Sequence, residues 1–98
     1  LSRKSGQRRL EWSPRADRDY FDAWAYIAQD NVEAADGVAR RIHDAARSLI
    51  FQPLLGRKGQ RPGTRELVVG NTPFTLIYRA HGTVIRIGRI LHQARRYP

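Results

Sequence analysis

The sequence has no cysteine and no methionine. Without cysteine there is neither a disulfide framework nor a thiolate metal site. Three scattered histidines, His43, His81 and His92, do not make a zinc pattern either. Long apolar runs are also missing, and none approaches the ~20 residues that a membrane-spanning helix needs. The opening LSRKSGQRR is basic with no apolar stretch and is not read as a secretory signal. The lack of a leading methionine points to trimming or to an appended segment. A soluble cytoplasmic protein with no cofactor, no metal and no membrane association is the expectation.

Acidic residues are scarce in one half only. Residues 1–44 carry eight basic and eight acidic side chains, which cancel. Residues 45–98 carry ten Lys/Arg against one acid, Glu66, so the whole net charge of +9 lies there. A field of that sign and density attracts phosphates or an acidic protein partner; the plainer reading is a solubilising surface. What remains is ordinary globular composition. With 98 residues, 41% of them hydrophobic, the chain has enough for one domain and one modest core.

Residues 1–7 are polar and pattern-free and read as a flexible tail, leaving 8–98 as the single domain. Arg8 to Trp12 reads as a short strand. Ser13-Pro14 is a helix start, with Ser as N-cap and Pro at the first helical position. Ala16, Tyr20, Ala23, Trp24 and Ile27 follow at helical spacing as a core stripe. Asp30-Asn31 caps a second helix, with Glu33 three residues after Asp30 as in a capping box. Ala35, Val38, Ile42, Ala45, Ala46 and Leu49 carry its apolar face to about Phe51. The short link forces an antiparallel hairpin, and Gly37 suggests a close approach of the helices.

Two prolines and three glycines in Gln52–Gly63 mark a loop. Leu54 and Leu55 are expected to anchor it on the core while Arg57, Lys58 and Arg61 point outward, either solvated or contacting phosphate. Strands are expected over Thr64–Val69, Phe74–Ala80 and Thr83–Leu91. A two-residue His81-Gly82 turn would set Tyr78 opposite Ile85 and Leu76 opposite Ile87. Phe74 and Leu91 complete the core face. The other face takes Thr75, Ile77, Arg79, Val84, Arg86, Gly88 and His92. The result is an α+β fold: an N-terminal strand, an antiparallel helical hairpin, then a three-stranded antiparallel meander with the helices packed on one face.

Trp12-Ser13-Pro14 with Ala16, then Trp24-Ala25-Tyr26-Ile27-Ala28, open this pattern. Gly63-Thr64-Arg65-Glu66-Leu67, Pro73-Phe74, Ile77-Tyr78-Arg79, Arg89-Ile90-Leu91-His92 and Arg96-Tyr97-Pro98 complete it. In their order and spacing, from Arg8 to Pro98, the chain resembles the RelE/ParE superfamily of bacterial type II toxin–antitoxin toxins, closest to its ParE branch. The resemblance implies a growth-arresting toxin of the plasmid-stabilisation kind, held by a cognate antitoxin in a hetero-oligomeric complex. ParE-like members poison DNA gyrase without hydrolysis, which would make this chain a binding protein rather than an enzyme. RelE-like members are ribosome-dependent, metal-independent mRNA endonucleases. On that reading Arg65, His92 and Tyr97 would be the catalytic set, because 2′-OH attack needs a base and the charge on phosphorus needs fixed cations.

Three positions depart from the nuclease pattern. Leu67 stands where a lysine is expected, Thr75 where an arginine opens the third strand, and Gln93 where an arginine follows the fourth. Losing several phosphate-holding cations removes several kcal/mol of transition-state stabilisation. That favours gyrase over the ribosome and its mRNA as target; a plain nucleic-acid-binding module is the third reading. The docking surface is expected on Arg57, Lys58, Arg61, Arg65, Arg79, Arg86, Arg95 and Arg96. Plainer roles stand beside these. Arg65 with Glu66 can be an exposed ion pair, Tyr97 and Pro98 pins for the tail, and His92 a strand-end hydrogen-bonding residue.

Overall fold

The hydroxyl of Ser13 fixes where the helices begin. Its Oγ accepts from the Ala16 amide at 2.9 Å and donates to the Gly88 carbonyl at 2.8 Å, so one side chain caps a helix and ties it to a strand. The computed structural model describes residues 8–93. The expected tail at 1–7 and the residues Arg95, Arg96, Tyr97 and Pro98 lie outside the described residues. The elements are β1 (Arg9–Trp12), α1 (Pro14–Ala28), α2 (Val32–Phe51), β2 (Arg57–Lys58), β3 (Arg65–Val68), β4 (Phe74–His81) and β5 (Val84–His92). They form a five-stranded sheet in the order β1-β5-β4-β3-β2. β1 runs parallel to β5, and the other neighbours are antiparallel.

The helices lie on one face of this sheet, as expected. Ala16 and Ala23 on α1 and Ala35 and Ala46 on α2 are buried, and their small side chains let the two helices sit close. Ile42 and Leu49 reach past them to Phe74, Leu76, Tyr78, Ile85, Ile87 and Ile90 in one core cluster. Leu10, Trp12, Tyr20 and Ile27 close its rim.

Several local expectations are corrected. β2 is a short strand inside the segment read as a loop, and it pairs with Arg65 and Glu66. Asn31, not Asp30, caps α2: its backbone is extended (φ −157, ψ 104) and its side chain accepts from the Ala34 amide, so Glu33 falls one position short of a capping box. Trp24 is only half-buried, because its indole N–H donates to Asp36 at 2.8 Å on the outside of the hairpin. Gly37 makes no close helix contact; a Cβ there would meet only the Arg41 guanidinium at 3.5 Å, an ordinary separation. Gly37→Ala is therefore expected to raise stability by about 0.5–1 kcal/mol, read as a higher urea midpoint at unchanged slope.

The register of the last hairpin also differs. His81 pairs with Val84, which puts Tyr78 opposite Ile87 and Ala80 opposite Ile85. A bulge follows between Ile77 and Tyr78 of β4, leaving Gly88 on β5 as the extra residue, so Ile77 faces Arg89 and Leu76 faces Ile90. Beyond the bulge the alternation of β5 is inverted. Ile90, not Leu91, enters the core, and His92 joins the helix-side face with an edge contact to Phe74 at 5.3 Å.

Candidate functional site

Strand alternation sorts the arginines of the second half onto two faces. Arg57 on β2, Arg79 on β4 and Arg86 on β5 share the face away from the helices, with Glu66 on β3 and Glu11 on β1 between them. Arg57 pairs with Glu66 at 3.2 Å, and the buried Glu66 carboxylate also accepts from the Gln60 amide at 3.3 Å. Arg79 donates to the Pro62 carbonyl at 3.0 Å. Arg86 pairs with Glu11 at 3.2 Å, and Arg9 meets the other Glu11 oxygen at 2.9 Å. The hydrogen bond from Arg9, reinforced by Arg86, holds the Glu11 carboxyl below its ordinary value. Arg79 and Arg86 face each other directly across the strands. The face is thus basic and ordered, with its guanidinium groups held by neighbours rather than left to wander. Beside it, Lys58 and Arg61 line a shallow pocket with Gly59 and the Pro62–Arg65 segment, Lys58 lying on the helix side because it pairs with Arg65.

Among the expected docking residues Arg65, like Lys58 opposite it, lies off this face. It pairs with Tyr78 and so lies on the helix side, where its Nη1 donates to the Gly56 carbonyl at 2.7 Å. Tyr78 completes this anchorage: its hydroxyl donates to the Pro53 carbonyl at 2.8 Å and accepts from the Gly56 amide at 2.9 Å. Gly56 has no room for a side chain, since a Cβ would lie 2.7 Å from the Glu66 carbonyl oxygen and 2.8 Å from the Tyr78 ring. The loop is held by polar groups from beneath. Leu54 and Leu55, expected to anchor it, face solvent instead.

Arg65 and His92 do not come together. Arg65 is opposite Tyr78 and His92 opposite Phe74, on strands that flank β4. Four residues along β4 are about 13 Å, and two strand spacings add about 10 Å across. His92 instead lines a cleft of about 500 Å³ between α1 and the end of β5, with Arg15, Asp19, Tyr26 and Arg89 among its walls. Asp19 organises that cleft. Its Oδ2 accepts from Arg89 Nε and from the Ile90 amide, both at 2.9 Å, while Arg15 approaches Oδ1 at 3.4 Å. The sequence places Asp19 on a wet helix face and singles out Arg89 only within a motif. The signal that could have found them is Gly88, since a glycine inside a strand pattern marks a bulge that re-aims its neighbours. Among the described residues no group of three or more His, Asp or Glu could hold a metal, and no helix is long and apolar enough to cross a membrane.

Residues 10–97 match the family described as ParE toxin of type II toxin–antitoxin system, parDE. The chain is 35% identical over 92 residues to the protein Y4kP of Sinorhizobium fredii, covering 94% of this chain and 95% of that one. Its fold superposes on a chain of the chromosomal ParDE toxin–antitoxin system of P. aeruginosa with a TM-score of 0.79 and 26% identity, covering 90% and 98% of the two chains. The toxin–antitoxin complex RelBE2 of Mycobacterium tuberculosis contains the same fold, at a TM-score of 0.67 and 22% identity over 88% of this chain and 98% of that one.

Proposed function

Because the chain belongs to the ParE toxin family of type II toxin–antitoxin systems, we propose that it is a cytoplasmic toxin that inhibits DNA gyrase by binding and is neutralised by an antitoxin partner. The ParDE and RelBE2 neighbours are toxin–antitoxin systems, which supports the partner. The observation that carries the choice of target is the separation of Arg65 from His92. A metal-independent ribonuclease needs its base and its phosphate-holding cations converging within hydrogen-bond reach of one phosphodiester. Here Arg65 is committed to a loop carbonyl, and His92 is at the far end of the sheet. Thr75 and Leu67 add no cation between them. The arginines that do share a face form a broad ordered surface, a geometry suited to docking a large partner.

Measurements in induced cells and on the purified protein test this reading. Induction of the toxin alone should arrest growth, and co-expression of the adjacent reading frame should restore it. Purified protein should inhibit gyrase supercoiling, while the ends of translated mRNA stay unchanged in induced cells. Codon-positioned mRNA cleavage with supercoiling unaffected would overturn the choice of target. Growth that continues on expression would overturn the toxin reading itself.

A further inference from the structure

The end of α2 carries three large apolar side chains that the fold does not use. Phe51 is 78% exposed, Leu54 66% and Leu55 49%. They lie within five residues, where the chain leaves α2 at Gln52 and turns through a Leu55 amide to Gln52 carbonyl bond of 3.1 Å. Free loops commonly turn such side chains inward, because burying each is worth about 1.5–3 kcal/mol. This one cannot, since the Tyr78 hydroxyl and Arg65 guanidinium clamp the backbone at Pro53 and Gly56 from beneath. The apolar side chains are presented on a fixed support, which lowers the entropy lost when a partner covers them. Large apolar side chains exposed within five residues on a held backbone are a mark of an interaction surface.

The charge around the patch says what covers it. No acidic residue occurs from Ala45 to Arg65. Arg47 stands one helical turn before Phe51, and Arg57 and Lys58 follow Leu55 on the adjoining strand. Arg8 donates to the Ile50 carbonyl at 3.3 Å, adding a cation at the C-terminal end of α2. The nearest acid in sequence on the far side, Glu66, is buried and bound to Arg57. We infer that this patch is the docking site for an acidic, amphipathic segment of the antitoxin, whose apolar residues cover Phe51, Leu54 and Leu55 while its carboxylates meet Arg47 and Lys58. The assignment rests on the antitoxin reading above and locates its contact.

The test measures binding between this full chain and the purified product of the adjacent reading frame, at low and at physiological salt. The double variant Leu54→Ser/Leu55→Ser should weaken binding at least tenfold with an unchanged unfolding midpoint, because both side chains are already exposed. Lys58→Glu should weaken binding most at low salt and flatten the salt dependence. Phe21→Ser alters another large exposed aromatic, on α1, and should leave affinity unchanged. Binding of the double variant within twofold of wild type, or a loss confined to Phe21→Ser, would overturn the assignment. So would sedimentation of the free wild type as a dimer that the double variant dissolves, which would give the patch to a second copy. Wild-type protein that does not bind the neighbouring product fails differently: it removes the antitoxin reading and the docking site with it.

Discussion

Replacing Tyr78 by phenylalanine is expected to cost about 2–4 kcal/mol of folding stability, although the ring and its burial are retained. The hydroxyl serves two backbone groups at once, accepting from the Gly56 amide and donating to the Pro53 carbonyl. Removing it leaves both without their partner, and each buried polar group left unmet costs about 1–3 kcal/mol. The neighbouring bond from Arg65 reaches the Gly56 carbonyl and so replaces neither of the two that the hydroxyl makes. The loss should appear as a lower urea midpoint and as faster hydrogen exchange of the Gly56 amide, with β4 protection retained. A loss below about 0.5 kcal/mol would show that water replaces the hydroxyl without penalty. The same variant should loosen Leu54 and Leu55, so antitoxin affinity should fall even with both leucines in place.

Asp19→Ala is expected to be comparably damaging, at about 2–4 kcal/mol, for a different reason. β1 pairs with β5 only as far as Ile87, so the next stretch of that strand edge has no strand beside it. The Asp19 carboxylate stands in for the missing strand, accepting from the Ile90 amide and from Arg89. Its side chain is only 10% exposed, so deleting it leaves a peptide N–H and a half-covered guanidinium without an acceptor. For a domain of this size the loss corresponds to a fall in thermal midpoint of about 10 °C or more. Asp19→Asn is the informative companion. Its side-chain oxygen still accepts from Ile90, so it should recover most of the loss if the amide bond dominates, and little if the ion pair does. The Arg15 contact is exposed and enters neither balance appreciably.

Both residues show where the sequence is readable and where it is not. Periodicity suffices for the helices, because Ala16, Ala23, Ile42 and Leu49 repeat at spacings that only one helical face satisfies. The cap at Ser13 is readable from its neighbours alone. The meander is readable as strands, but not in register. Turn length and a bulge decide which side chains oppose one another, and a shift of one residue moves every later side chain to the other face. Leu91 was therefore expected inside where Ile90 lies. The basic face was legible for Arg79 and Arg86, which follow simple alternation, whereas Arg57 joins it through β2, a strand read as loop. Arg65 was not, because whether it points to a partner or props up a loop depends on Gly56, nine residues away on the edge strand's approach. Leu54 and Leu55 misled for the same reason: hydrophobicity predicts burial, but here polar bonds to Tyr78 decide which way the loop backbone lies. Asp19 was hidden because its partners are 70 and 71 residues distant, the Arg89 side chain and the Ile90 amide, and a backbone N–H leaves no side-chain pattern to read.

The parallel pairing of β1 with β5 also fixes when the molecule can exist. Arg9 pairs with Val84 and Trp12 with Ile87, so the first strand has no place in the sheet until the last has been made. The helices and three intervening strands emerge from a ribosome earlier, with Ile42 and Leu49 still lacking the isoleucines of β5 that cover them. Such long-range closure slows folding and leaves a growing chain without its finished core. A chain released early lacks the strand at the centre of the sheet's contacts and has neither the arginine face nor the Asp19 cleft. The arginine face and the Asp19 cleft are thereby completed only once β5 has been made and has closed on β1, and a partner that recognises the folded surface meets it only then.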